Sequence, residues 1–511
     1  MLQYPLHNHP TLRTLLLCAL YAFVLLFFLS PDSYLRDVFN RGDSAWFFMC
    51  GKGWMNGMIP YVDFADSKGP LLWLIYGVGY LLSHHSFVGV FWLSVVSYTA
   101  ALYISYKISR LFLDPRPAAL CVALLPAVMF LKGFHYEVRT EDFCHPFVLF
   151  SLYALCRVMK EGEALPTKTF FWLCAGMGAS FMACVLMKWN IGAMIGAPML
   201  CVFILSFKQK VWALCLGGMI GGAAIFALPF MVYFLAFADF GAMVQEYFLN
   251  TFLTMDGRTS ILDILTFDKE MFTNERLTIG LFICLLLSLL RYKRFAWIVL
   301  CFLLFRVCLG GACLDHYYTT LSPFALFVFI AAVSLVFAKF PRLEVYAPVC
   351  CAVLAVLIVA RNTRHVNAPF SHAAEVRQEY YQAQYIMAQV KQPKLFCYRS
   401  HECGVGTPVG ALPACKYWVT QKGATKEMIE ASRESLEQGL PDFISYLTVD
   451  SNDGTNEEKL KSLGYVFYMT IHHVHGGYNC NLYGRPGLKL PPEDFHVSQW
   501  DVWLKRNIFG I

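Results

Sequence analysis

The chain has 511 residues, of which 57% are hydrophobic, 16% aromatic and only 15% charged, and its mean hydropathy is +0.50. Those values exclude an ordinary soluble domain and point to a polytopic membrane protein. Basic and acidic side chains balance after Arg361, so the whole formal charge of +6 belongs to the first 361 residues, an excess expected of cytoplasmic anchoring loops that requires no nucleic-acid partner.

A hydrocarbon core of about 30 Å needs roughly 20 apolar residues per helix. The first such stretch, 11–30, is long and has no small-residue cleavage site before Pro31, so it reads as a retained helix and not a signal peptide. Further spans follow at 87–112, 117–132, 143–159, 169–187, 191–206, 211–237, 277–291, 295–309, 319–338 and 344–361. Basic clusters punctuate them at Lys107, Arg110 and Arg116; Arg157, Lys160 and Lys168; Lys208 and Lys210; Arg291, Lys293 and Arg294; and Lys339 and Arg342. The positive-inside rule places all five on the cytoplasmic side. Eleven spans then put the N-terminus inside and the tail outside, provided that the apolar stretch Gly69 to Ser83 does not cross. At about 15 residues it is short for a span and reads as a re-entrant or surface-lying helix.

This threading gives the polar motifs one common side. The segment "RGDSAWFFMCGKGWMNGMIPYVDFADSKGP" (41–70), "HYEVRTEDF" (His135 to Phe143), "KWN" (Lys188 to Asn190), the loop Asp239 to Asn274 and "DHYY" (Asp315 to Tyr318) all fall on the external face. In the first of these, Trp46, Phe47, Met49, Cys50, Trp54 and Met55 follow Asp43 in an amphipathic pattern that predicts a helix lying in the interface. Asp43 serves there either as a helix N-cap or as an acid at headgroup depth. Asp63 and Asp66 frame a turn after Pro60. Lys68 opens an apolar helix, where it either snorkels to headgroups or holds a phosphate. Glu137, Arg139, Glu141 and Asp142 crowd the start of the fourth span, as a surface ion pair or as part of a site. Lys188 and Arg306 lie near the external ends of their spans, and His316 and Tyr317 begin the tenth. Several cations beside an acidic pair suit a diphosphate or phosphodiester better than an ion channel.

Residues 1–361 therefore form a membrane domain and 362–511 a small external one. In the latter, strands are predicted at 393–398, 442–449, 465–471 and 479–484, and helices at 424–439 and 456–464, an α/β arrangement. Cys397, Cys403, Cys415 and Cys480 could form disulfides there if the compartment is oxidising, with no pairing deducible. His473 and His475 share a strand face but lack acidic or cysteine partners at ligand spacing, and no metal or other cofactor is indicated anywhere.

The ordered set "GDSAWF", "GMIPYVDFADSKGPL", "RTEDF" and "DHYYTTLSPF" resembles the GT-C superfamily of membrane glycosyltransferases, in the branch of protein O-mannosyltransferases and the aminoarabinose transferase of lipid A. The resemblance spans roughly Thr11 to Arg361 and implies a GT-C fold with an external C-terminal domain. It implies that Asp43 is the catalytic carboxylate, that Glu141 is the second-loop acid and that Lys68 contacts the donor phosphate. Two departures stand out: Asp43-Ser44 replaces an acidic pair, which weakens a case for metal, and Lys68-Gly69-Pro70 replaces Lys-Pro-Pro. The implied reaction moves a sugar from a polyprenyl-phosphate donor to a glycan, lipid or protein acceptor at the external face of a bacterial inner membrane, with inversion. Arg139, Lys188, Arg306 or His316 would assist Lys68. A lipid-linked-glycan flippase, and a polymerase or ligase using a diphosphate-linked donor, are the alternatives.

Overall fold

The computed structural model describes residues 10–30, 32–34, 42–130, 139–250, 276–309, 315–363, 374–398, 404–419, 425–448, 455–472 and 479–498. Its helices are α1 (Pro10–Leu29), α2 (Asp43–Met55), α3 (Pro70–Leu82), α4 (Val88–Arg110), α5 (Pro115–Leu124), α6 (Pro126–Met129), α7 (Thr140–Glu161), α8 (Thr167–Val185), α9 (Trp189–Lys208), α10 (Trp212–Ala236), α11 (Phe240–Met243), α12 (Arg276–Ser288), α13 (Ala296–Leu309), α14 (Ala325–Lys339), α15 (Ala347–Thr363), α16 (Ala374–Met387), α17 (Lys426–Glu437) and α18 (Thr455–Ser462). Among the described residues eight helices are long and apolar enough to cross a membrane: α1, α4, α7, α8, α9, α10, and α14 and α15 with the 3-10 turns that lead into them. The other three predicted spans fall on shorter helices, α5 with α6, α12 and α13. The stretch expected not to cross is α3, whose 13 residues reach only about 20 Å.

The chain divides into two units. One comprises Met1–Leu29, Ser94–Val232 and Arg258–Val366; the other Ser30–Leu93, Tyr233–Gly257 and Asn367–Ile511.

In the first unit α7 sets the polarity. Its start is fixed by Asp142, three residues in, whose Oδ2 accepts the Arg139 backbone N–H (3.0 Å), and it stops at Gly162, where φ is +55°. Its 22 residues span about 33 Å. At the far end Arg157 pairs with Glu161, and Arg294 Nη1 donates to the Met159 carbonyl (2.7 Å). Lys160 stands over the Phe112 ring, which packs on Tyr292 and Phe295. The predicted cytoplasmic loops after α4, after α7 and before α13 thus gather at one end, and the acidic motif lies at the other.

The second unit joins α2 and α3 to a five-stranded sheet of order β2-β1-β3-β5-β4. Here β1 is Lys394–Tyr398, β2 Leu412–Pro413, β3 Phe443–Thr448, β4 Val466–His472 and β5 Asn479–Gly484. Strand β1 is parallel to β2 and β3, and β5 is antiparallel to β3 and β4. The four predicted strands and two predicted helices are present; the two-residue β2 and helix α16 are additions, too short or too polar to announce themselves. Cys397 and Cys480 are buried and Cys415 is half-buried, and Cys403 lies outside the described residues, as do His473 and His475.

The helix predicted after Asp43 is α2. Every residue from Ser44 to Gly53 is buried, Lys52 included, and Phe47 packs edge-on against Tyr76 of α3. Gly51 is what permits the fit: a Cβ there would stand 2.4 Å from the Gly77 nitrogen and 2.8 Å from the Trp73 carbonyl oxygen of α3. Those are backbone atoms that cannot rotate aside. Gly51→Ala should therefore force α2 and α3 apart and cost about 1–3 kcal/mol, read as a lowered thermal unfolding midpoint in detergent.

Candidate active site

In the second unit Gly42, at φ +66°, occupies the N-cap of α2 and makes no side-chain cap, so Asp43 is the first helical residue and not the cap. A carboxylate in that first turn meets the positive end of the helix. Asp43 is half-buried, and Phe47, one turn on, lies on the same helix face. The Lys68 ammonium stands 5.5 Å from the centre of the Phe47 ring and donates to Ser67 Oγ (3.1 Å). The acid and the cation that the sequence singled out are thereby turned toward one side of α2.

Lys68 comes at the end of an irregular segment. Asp63 shapes it, with Oδ2 accepting the Ile59 N–H (2.6 Å), and buried Asp66 accepts from the N–H and hydroxyl of Ser67. The Tyr61 hydroxyl donates to the Lys68 carbonyl (2.9 Å). Gly69 and Pro70 then start α3, so Lys68 sits at the positive end of a second helix.

A cation not expected in the site, Lys52, anchors α2 from within. Its Nζ donates to the Gly406 (3.2 Å) and Thr407 (3.0 Å) carbonyls. Burial lowers its pKa from 10.5 to about 7. A neutral amine has two N–H donors, and two acceptors face it. The glycine-flanked lysine in "MCGKGW" was the available signal.

In the first unit the second-loop charges are paired and buried. Lys188 Nζ lies 2.6 Å from Glu141 Oε1, with Glu141 3% and Lys188 8% exposed. Asp142 has both oxygens engaged, one by Arg139 N–H and the other by the Tyr98 hydroxyl (2.6 Å). His145 Nε2 lies 3.1 Å from the Thr319 carbonyl oxygen, joining the start of α7 to the 3-10 turn Asp315–Phe324 that carries His316 and Tyr317. The side chains of those two residues lie outside the described set, as does Glu137. Arg306 is half-buried in the last turn of α13. Among the described residues no three His, Cys, Asp or Glu side chains are grouped to hold a metal ion.

Residues 67–238 match the family described as Dolichyl-phosphate-mannose-protein mannosyltransferase, a span that opens one residue before Lys68. ArnT from Cupriavidus metallidurans bound to undecaprenyl phosphate is similar in fold over 94% of this chain and 99% of its own, at a TM-score of 0.58 and 13% identity. The same protein in the apo state covers 93% and 98%, at 0.54 and 12%. The Archaeoglobus fulgidus oligosaccharyltransferase tethered with an acceptor peptide covers 97% of this chain and 74% of its own, at 0.50 and 11%. At such identities the likeness establishes the fold, which is the GT-C fold the sequence led us to expect. No individually curated protein matches the chain.

Two outcomes follow from the buried cations. Between pH 7 and 10.5 the unfolded chain holds a proton on Lys52 that the folded chain has released, so stability should rise with pH across that window, by up to about 1.4 kcal/mol per unit, and fall toward pH 7. Thermal midpoints of Lys52→Met in detergent should lose this slope. Lys188→Met strands a buried carboxylate and should cost about 3–5 kcal/mol, most of it recovered when Glu141→Gln is added.

Proposed function

We propose that this chain, a multi-pass membrane glycosyltransferase of the GT-C type, transfers a sugar from a polyprenyl-phosphate donor to a glycan, lipid or protein acceptor, with Asp43 and Lys68 carrying the chemistry. The observation that carries the reading is the shared side of α2: Lys68 over Phe47, one helical turn from Asp43. A protein of similar fold and the matched family lend the donor class. The ArnT structure is bound to undecaprenyl phosphate, and the matched family is named for a dolichyl-phosphate sugar.

The departing polyprenyl phosphate is already ionised near neutral pH, so its departure calls for charge stabilisation and no proton. Lys68 supplies a point charge, and the N-terminal end of α3 adds the partial positive charge of its backbone amides. Asp43 accepts the proton of the acceptor hydroxyl or amine as that atom attacks the anomeric carbon, while the bond to phosphate oxygen breaks. One base on one face and a leaving phosphate on the other give inversion. The positive-inside count of the spans puts the loop that carries Asp43 and Lys68 on the side opposite the basic loops, which favours the external, periplasmic face of a bacterial inner membrane for the reaction.

The test is transfer of labelled sugar from synthetic polyprenyl-phosphate donors by purified protein. Asp43→Asn should lower turnover by about 100-fold or more with donor affinity retained. Lys68→Ala should weaken donor binding by roughly tenfold or more. Wild-type rates in Asp43→Asn would remove Asp43 from this role; consumption of diphosphate-linked donors alone would instead mark a polymerase or ligase.

A further inference from the structure

The segment between Ile59 and Gly69 that delivers Lys68 has neither helix nor strand of its own, and beyond its local turn hydrogen bonds two further ties bear on it. At one, the Ala65 N–H donates to the Lys416 carbonyl (2.8 Å). At the other, Tyr61 donates its hydroxyl to the Lys68 carbonyl from a left-handed backbone conformation, φ +68°, which is costly for a residue with a side chain. Its ring is fully buried among Trp73, Phe234 and Tyr247.

Both ties lead to the same seven residues. Val244–Asn250 form a π-helical turn, a rare geometry that recurs at functional sites. From it, Tyr247 closes over Tyr61. Its neighbour Glu246 takes hold of the residue behind Ala65: Oε1 lies 2.7 Å from Lys416 Nζ and accepts the Tyr417 hydroxyl at 2.8 Å, while Oε2 accepts Asn250 Nδ2 at 2.9 Å. The Glu246 side chain is 6% exposed and Lys416 is 34% exposed. Burial and the adjacent carboxylate push the Tyr417 phenol up, so it stays a donor. A buried carboxylate with three donors is a fixed point, and the backbone of Lys416 inherits its position.

We propose that Glu246 is a positioning residue for Lys68, fixing through Lys416 and Tyr417 the backbone that aims the Lys68 ammonium at a polyprenyl monophosphate. The inference rests on the donor-phosphate role of Lys68 proposed above. The unannounced signal in the sequence is the lone charge in the run "AMVQEYFLN".

The experiment is a double-mutant cycle on the full-length protein in detergent, with undecaprenyl phosphate as the probe and the dissociation constant as the readout. Glu246→Gln should weaken binding by about tenfold in the wild-type background and by less than about twofold when Lys68→Ala is already present, because a residue that acts through Lys68 has nothing left to position. Tyr417→Phe, which removes a single hydrogen bond, should give a smaller loss of the same pattern, and serves if Glu246→Gln fails to fold. Equal losses in both backgrounds, or unchanged affinity in Glu246→Gln and Tyr417→Phe, would overturn the inference. If the wild type does not bind the probe, or Lys68→Ala binds as well as wild type, it is the role of Lys68 that fails instead.

Discussion

The backbone from Ile59 to Gly69 must hold a cation in place with no ladder or helix to do it, and much of the second unit is arranged around that requirement. Side chains do what regular hydrogen bonding does elsewhere. Asp63 and Asp66 satisfy local N–H groups, Tyr61 reaches forward to the Lys68 carbonyl, and the π-helical turn packs Tyr247 on Tyr61 and, through Glu246 and Lys416, holds Ala65. Such an arrangement lets a loop be rigid where a loop is also needed to present charge. It also explains the concentration of aromatic rings: they bury the area that offsets a strained tyrosine and fill space that no regular element occupies.

Helix α2 meets a different constraint. It carries Asp43 at its first residue, yet the ten residues after it are buried, so its position is set by packing on every side. Two small residues, Gly51 and Gly77, let it approach α3 at backbone distance. Lys52 is retained inside by carbonyls and not by a carboxylate, an arrangement that tolerates a neutral amine and adds donor geometry without an ion pair. The first unit solves the burial of charge by the opposite route, pairing Glu141 with Lys188 and surrounding Asp142 with donors.

Much of this was readable along the chain. Span positions followed from hydropathy, and three of the basic clusters that punctuate them lie together at the far end of α7. The strands and helices of the C-terminal sheet followed from alternating and amphipathic patterns, and the GT-C fold from the order of four loose motifs. The helix expected after Asp43 is α2, but the burial of Lys52 within it was not legible, because periodicity records which residues are apolar and not what covers the remaining face. Asp is a favoured N-cap, yet Gly42, free to adopt a positive φ, occupies that place and Asp43 begins the helix.

What the sequence determined by itself is therefore local or additive: how many apolar stretches there are, where charge collects, which acids and cations stand in which loops. These depend on summed transfer energies and on near-neighbour spacing, and need no knowledge of distant contacts. Only the tertiary structure decided that Lys68 lies over Phe47, that Lys52 is buried against residues 406 and 407, and that Glu246 holds the strand-side residues 416 and 417. The partners in the last two are separated by more than 150 positions, and hydrogen bonds between them have no periodic signature in one chain. They exist because packing brings those backbones within a few ångströms, which is a property of the folded whole.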